Sequence, residues 1–232
     1  MPVIGTRGEV VDWTPARVPA HAVLTGTTVR LEPVDPGGHV RSLFAASHNR
    51  QDPTLWDYMS VGPFNNEHDF RAWLETTADS TDPLFFTVID QETGRPAGMA
   101  SYLRITPTHG VIEIGNLWFG PVLQRTRQAT EAIFLLARHV FEDLGYRRLE
   151  WKCDALNERS RRAAERFGFS YEGLFRQHMI VKGRNRDTAW FAMLDRDWPV
   201  IKAAFETWLA PENFDSASRQ RQPLRLMRTP AE

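Results

Sequence analysis

Cysteine is nearly absent: Cys153 stands alone among 232 residues. A lone cysteine forms no internal disulfide, and it excludes structural zinc sites built on two or more thiolates. The seven histidines show no His-x-x-x-His spacing, so no metal site is expected. Long apolar runs are missing as well. The most apolar stretch, Ala132–Leu144, is interrupted by Arg138, His139, Glu142 and Asp143, so no membrane-spanning helix is expected. Charge of one sign is not in excess, with 28 Lys and Arg against 29 Asp and Glu and a net charge of -1. That removes the global basic footprint of a nucleic-acid or anionic-membrane binder and leaves only room for a local patch. Met1–Val11 carries Arg7 and Glu9 without an apolar core, unlike a signal peptide. A protein of the reducing cytoplasm is therefore expected. What the chain does have is the 42% apolar and 25% charged content of an ordinary globular domain.

Periodicity divides the chain. Residues 1–26 contain Pro2, Pro15 and Pro19 and read as an irregular arm. Val29-Arg30-Leu31-Glu32-Pro33-Val34 alternates as a half-buried strand does. A helix is predicted over about His39–His48, then an unusually aromatic loop over Asp52–Phe64, then a helix over Asn66–Thr77. Strands are predicted at Leu84–Ile89, Ala97–Ile105 and Val111–Phe119, joined by turns of hairpin length. Gln128–Leu144 has the best helical spacing, and Gly145 stops it. Arg148–Cys153 reads as a strand. Glu158–Phe167 reads as a helix, with Asn157 at its N-cap and Gly168 at C′. Strands at Phe169–Tyr171, Phe175–Val181 and Thr188–Leu194 precede a last helix, Pro199–Leu209. From Pro211 the chain turns polar and arginine-rich (Arg219, Arg221, Arg225, Arg228), as a mobile tail does. One domain over 27–210 is thus expected between an arm and a 211–232 tail. The element order is that of a mixed α/β (α+β) fold, an antiparallel meander followed by a parallel crossover.

The junction between the strand ending at Phe119 and the helix near Gln128 carries the chemistry. A helix N-terminus presents unpaired amides and the positive end of its dipole, and so holds phosphates. Gln124-Arg125-Thr126-Arg127-Gln128-Ala129-Thr130 adds two guanidinium groups, two hydroxyls and a small residue there. The same residues serve equally as a solvated turn in which Thr126 is only a cap.

Further motifs follow in order: Leu31-Glu32-Pro33-Val34, Glu113-Ile114-Gly115-Asn116-Leu117-Trp118-Phe119, the Gln124–Ala129 turn, and Asn157-x-x-Ser160 leading to Phe167-Gly168-Phe169-x-x-Glu172-Gly173. Over roughly 27–195 this combination resembles the GNAT superfamily of acyl-CoA-dependent N-acetyltransferases. The nearest branch is that of the ribosomal-protein N-terminal (RimJ/RimL-like) acetyltransferases. One departure stands out: Arg127 occupies a turn position where the family usually has glycine.

The resemblance implies a mostly antiparallel sheet, flanked by helices and splayed between its fourth and fifth strands. It implies acetyl-CoA as cosubstrate, without a metal. The pyrophosphate would lie on the amides of Arg125–Thr130, the pantetheine along Leu117, Trp118 and Phe119, and Asn157 beside the cofactor or acting only as a cap. Direct transfer to a primary amine, a protein N-terminus or a small molecule, requires a base, for which Glu113 stands at the family position. It also requires a hydrogen-bond donor to sulfur, for which Ser160 stands, with Tyr171 as a rival. Glu113 is equally a salt-bridge partner and Ser160 a first-turn helix residue. Trp56, Tyr58, Phe64 and Asn116 are the candidate acceptor contacts, with Asp57 to attract a cationic amine and the Lys182–Asp187 hairpin beside them. The aromatics of that group also suit core packing under the loop. Cys153, His109 and His178 are read as structural. A homodimer is compatible with the sequence, and an inactive acyl-CoA-binding or interaction module is the alternative function.

Overall fold

The computed structural model describes residues 8, 10–48 and 52–224. Eight strands form one sheet: β1 (Leu24–Thr25), β2 (Val29–Pro33), β3 (Leu84–Asp90), β4 (Arg95–Thr106), β5 (Val111–Phe119), β6 (Arg148–Asp154), β7 (Ser170–Val181) and β8 (Arg184–Leu194). Their spatial order is β1-β2-β3-β4-β5-β6-β8-β7. Every pairing is antiparallel except β5 with β6. A parallel pair requires a crossover, and α3 (Arg127–Arg138) supplies it. Two other helices, α1 (Pro36–Ser47) and α2 (Glu67–Ala78), follow β2; α4 (Glu158–Arg166) follows β6, and α5 (Trp198–Leu209) closes the fold.

Alternation along the strands sends side chains to two cores. On β3, Leu84, Phe86 and Val88 join the main core under α3 and α5, while Phe85 joins a second core with Leu43, Trp56, Phe70 and Leu74 from α1, α2 and their loop. α3 is buried almost all round because it lies between the sheet and α5, where Phe134 meets Trp198 and Phe205 at 6.0 and 5.5 Å. Its buried Glu131 accepts from the amides of Thr27, Thr28 and Val29, which ties the β1–β2 turn to the helix.

Several boundaries differ from the sequence expectation. The helix predicted to Leu144 ends at Arg138 and continues as a π-turn, His139–Asp143, closed by the Leu144 amide on the His139 carbonyl. Hydrophobic spacing does not distinguish a turn widened by one residue from a regular one. The pieces Phe169–Tyr171 and Phe175–Val181 belong to one strand, β7, whose pairing with β8 slips between Tyr171 and Gly173 and again between Phe175 and Met179. The arm contributes β1, and Trp13 donates from its indole to the Thr108 carbonyl at 3.0 Å. At the other end Phe214 packs edge-on against Trp208 at 5.1 Å, and Leu224 reaches the main core. Residues 1–7 of the arm and 225–232 of the tail, with Arg225 and Arg228, lie outside the described residues.

Candidate active site at the divergence of two strands

β5 and β6 pair at only three positions, Val111 with Arg148, Ile112 with Leu149 and Glu113 with Glu150. Beyond Glu113 they separate, as the splayed sheet requires. A bulge in β5 accompanies the separation. Asn116 adopts φ 47°, a left-handed conformation that asparagine tolerates better than most residues. Its amide donates to Ser101 Oγ at 3.0 Å, and Ser101 donates to the Gly115 carbonyl at 3.2 Å. The extra residue reverses the alternation. Ile112 and Ile114 face the main core before the bulge, and Leu117 and Phe119 pack against it afterwards, while Trp118 joins the second core. Toward β6, Asn116–Phe119 have no strand partner, so their backbone groups remain for a ligand. Asn116 itself is thus placed as the holder of the bulge.

The turn Gly120–Thr126 delivers the chain from β5 into α3. Arg125 sits at φ 63° and is exposed. Thr126 is the N-cap, with Oγ1 accepting from the Ala129 amide and donating to the Leu123 carbonyl. Its hydroxyl is therefore fully engaged. The first-turn amides of Arg127 and Gln128 have no intrahelical acceptor, as helix geometry dictates, and buried Ala129 keeps the approach short. This donor set suits a pyrophosphate, and the unpaired β5 edge suits the amides of a pantetheine arm.

The unusual Arg127 is explained by its direction. It is an ordinary helical residue, so its backbone does not require glycine, and its guanidinium turns away from the phosphate turn. It donates to the Leu209 carbonyl and lies 4.8 Å over the Phe214 ring. The sequence-level option of a phosphate partner is not the geometry seen. Thr130 is likewise committed, since it accepts from Arg166 Nη1 at 3.0 Å. Gln124 donates to Asp52 at 2.8 Å and to the Phe119 carbonyl at 2.9 Å, pinning the aromatic loop to the turn.

Across the opening, Asn157 caps α4 by accepting from the Ser160 amide at 3.1 Å. Ser160 Oγ accepts from the Trp151 indole at 3.0 Å, and its own proton, which lies within reach of the Cys153 sulfur, is the one it can donate. Cys153 is buried in the main core, and burial raises its thiol pKa. Tyr171 lies on the edge strand β7 with its ring against Phe191.

Glu113 is 1% exposed on the sheet face opposite α3. Lys152 Nζ lies 3.2 Å and Arg104 Nε 3.6 Å from its Oε2. These are ion-pair contacts without hydrogen-bond alignment, so that oxygen remains unsatisfied. Burial pushes the carboxyl up to about 7, against the opposing pull of Lys152 and Arg104. Sequence reading missed Lys152, Arg104 and Ser101. The strand period places Lys152 and Glu150 on one face, but only the parallel register places that face beside Glu113.

The loop after α1 spans the mouth of the opening. Tyr58 donates to the Leu156 carbonyl at 3.2 Å, and Lys182 Nζ donates to the Trp56 carbonyl at 2.7 Å. Trp56 and Phe64 lie within the second core, 5.4 Å apart and edge-on, and the Trp56 indole donates to the Ser47 carbonyl. They support the loop from beneath, whereas Tyr58 is on its surface. Among the described residues no cluster of three His, Cys, Asp or Glu could hold a metal, and no helix is long and apolar enough to cross a membrane.

Comparison with known proteins agrees with this architecture. Residues 28–170 match the family described as the acetyltransferase (GNAT) domain. A GCN5-related N-acetyltransferase from Brucella melitensis is 50% identical, with a TM-score of 0.90 over 92% of this chain and 96% of that one. A GNAT-family acetyltransferase structure from Chromobacterium violaceum is 40% identical, with a TM-score of 0.78 over 86% of this chain and 99% of that one. YdaF of Bacillus subtilis, provisionally named a ribosomal N-acetyltransferase, is 30% identical over 105 residues, 45% of this chain and 57% of YdaF. The family match covers more than half of the chain and the Brucella likeness nearly all of it, so the chain belongs to the GNAT acetyltransferases, enzymes that use acetyl-CoA.

Proposed function

We propose that this enzyme transfers an acetyl group from acetyl-CoA directly to a primary amine, with both substrates bound together. The observation that carries the reading is Glu113, a buried carboxylate at the last paired rung before β5 and β6 part, with its pKa raised to about 7. A primary amine is largely protonated at neutral pH and must lose a proton before it attacks. A base that titrates near neutrality can take that proton, directly or through one water. Acetyl-CoA supplies the activated acyl group. Of the Arg125–Thr130 turn, the free amides of Arg127 and Gln128 at the start of α3 would hold its pyrophosphate, and the free edge of Leu117–Phe119 would orient its pantetheine. Ser160, already an acceptor from Trp151, would direct its proton toward the departing sulfur.

Tyr58, at the surface of the bridging loop, is the acceptor contact retained from the aromatic set. The catalytic unit is 27–210, with Trp13, Leu24 and Thr25 before it bracing the base of the sheet and Phe214 after it bracing the end of α5. The name of YdaF, a ribosomal N-acetyltransferase, makes a ribosomal amine, such as a protein N-terminus, a candidate acceptor and the cytoplasm the fitting compartment. The proposal includes a homodimer.

The decisive experiment has two steps. Saturating acetyl-CoA should raise the melting temperature by mass action. CoA release with an amine panel should then rise with pH through about 7, and Glu113→Gln should abolish that rise. Failure of acetyl-CoA both to bind and to stabilise would overturn the reading.

A further inference from the structure

The sheet half formed by β6, β8 and β7 has one face over which no described helix lies, although Glu150, Thr188 and Trp190 on it are buried among their side-chain neighbours. Glu150 and Lys152 on β6 point to it, as do Arg186, Thr188 and Trp190 on β8, because Trp151, Cys153, Ala189 and Phe191 point to the main core. Neither α1 nor α2 extends over this region: the second core takes its strand residues only from β3 to β5 and the segment after β2. Glu113 lies on the same face, so an amine using it as base would approach from there.

Three cations converge on that approach. Arg104 is 47% exposed, and its carboxylate contacts, 3.6 Å to Glu113 and 3.5 Å to Glu150, are longer than well-formed hydrogen bonds. Its guanidinium is nevertheless held in place, 4.7 Å over the Trp190 ring. Lys152 Nζ lies 5.3 Å over the same ring. Arg186 has a buried Nε with no hydrogen-bond partner among the described residues. The neighbouring carboxylates do not cancel this charge. Glu150 is engaged by Arg148 at 2.7 Å, and Asp187 accepts from the Gln177 amide and from Asn185. Glu113 and the second oxygen of Glu150 are what face Arg104 and Lys152. His178, 6.0 Å from Trp190, shows the same field: its pKa is lowered first by burial and then by Lys152, Arg186 and Arg104.

We infer that the acceptor is an amine carrying a carboxylate close to its amino group, with the carboxylate taken by Arg104 and Arg186 over Trp190. This deepens the proposed transferase reading and rests on it. A guanidinium with free donors pairs with a carboxylate through two parallel hydrogen bonds. The same field disfavours an ammonium beside Glu113 and so assists its deprotonation. Polycationic amines are repelled for the same reason. A free amino acid and a peptide with an acidic residue near its N-terminus share this chemistry.

The test compares matched pairs at saturating acetyl-CoA: free amino acids against their carboxamides, and short peptides with Asp or Glu near the N-terminus against Asn or Gln. The carboxylate member of one series should show a kcat/KM about tenfold or more higher. The series that shows it identifies the source of the carboxylate. Arg104→Gln and Arg186→Gln should reduce the preference to below about threefold, while Arg104→Lys keeps part of it. Calorimetric titration of the same pairs into the CoA complex reads the preference without turnover and shows that the variants are folded. Equal use of both members, or a preference unchanged in the Gln variants, overturns the inference and leaves the transferase reading standing. Loss of acetyl-CoA binding or of transfer to every amine overturns the transferase reading instead.

Discussion

The two halves of the sheet are built to different specifications. From β2 to β5 both faces are covered, by α1 and α2 on one side and by α3 on the other. Trp56, Phe70, Phe86 and Tyr102 are all buried there. From β6 to β7 helices cover only one face, and side chains alone bury Thr188 and Trp190 on the other. Phe175 stands 51% exposed on the edge strand, and charged groups surround Trp190. The closed half carries the hydrophobic stabilisation, and the open half presents groups that packing does not consume. The candidate site lies at the boundary, where Glu113 is buried and faces Arg104 of the closed half and Lys152 of the open one.

The sharpest way to break this contrast is a matched truncation. Phe70→Ala removes a fully buried ring and should cost about 3–5 kcal/mol. Phe175→Ala should cost within about 0.5 kcal/mol, as surface changes do. Denaturant titration of both variants checks the pair, and equal losses would show that the open half is as tightly integrated as the closed one.

Next in size is Glu113→Gln, which preserves shape and removes the proposed base. Its kcat/KM above pH 7 should fall by about 10²-fold or more. Steady-state assays across pH 5.5–9 check it, and a retained titration near neutrality would assign the base elsewhere.

Arg127→Gly restores the residue usual in the family and tests whether the departure belongs to packing or to cofactor binding. Loss of the contacts to Leu209 and Phe214, with glycine in the first helical turn, should cost about 2 kcal/mol. The affinity for acetyl-CoA should change by less than about threefold. Thermal melts and calorimetry separate the two, and a large affinity change would move Arg127 into the cofactor site.

A further effect is one of pH on stability. Glu113 titrates above its ordinary carboxylate value, so the folded state binds more protons than the unfolded state between about 4.5 and about 7. Its contribution is therefore unfavourable above that window and disappears below it. Stability should decline as pH rises from 5 to 8, and Glu113→Gln should flatten this part of the profile. Denaturation midpoints at the two pH values measure the difference.

Much of the closed half was readable in the chain. β5 begins and ends at Val111 and Phe119 as alternation predicts, and Asn66, Thr126 and Asn157 cap helices as their side chains suit them to do. The site was legible through its motifs, Glu113, the Gln124–Ala129 turn and Asn157-x-x-Ser160, because each pairs a residue type with a local backbone form. Trp56 and Phe64 show the limit. An aromatic residue in a loop has the same sequence signature whether it clamps a ligand or fills a core, and burial decides which.

The sequence alone determined most element types, the N-termini of α3 and α4 and the family, because these depend on spacing within a few residues and on the order of motifs. Tertiary structure decided which face of each strand meets a core, and the Asn116 bulge reverses that choice within a single strand. It also decided that Arg127 serves the C-terminal segment, and that Arg104 and Lys152 meet over one tryptophan. Those residues are far apart in the chain, and only strand register and sheet order bring their charges together.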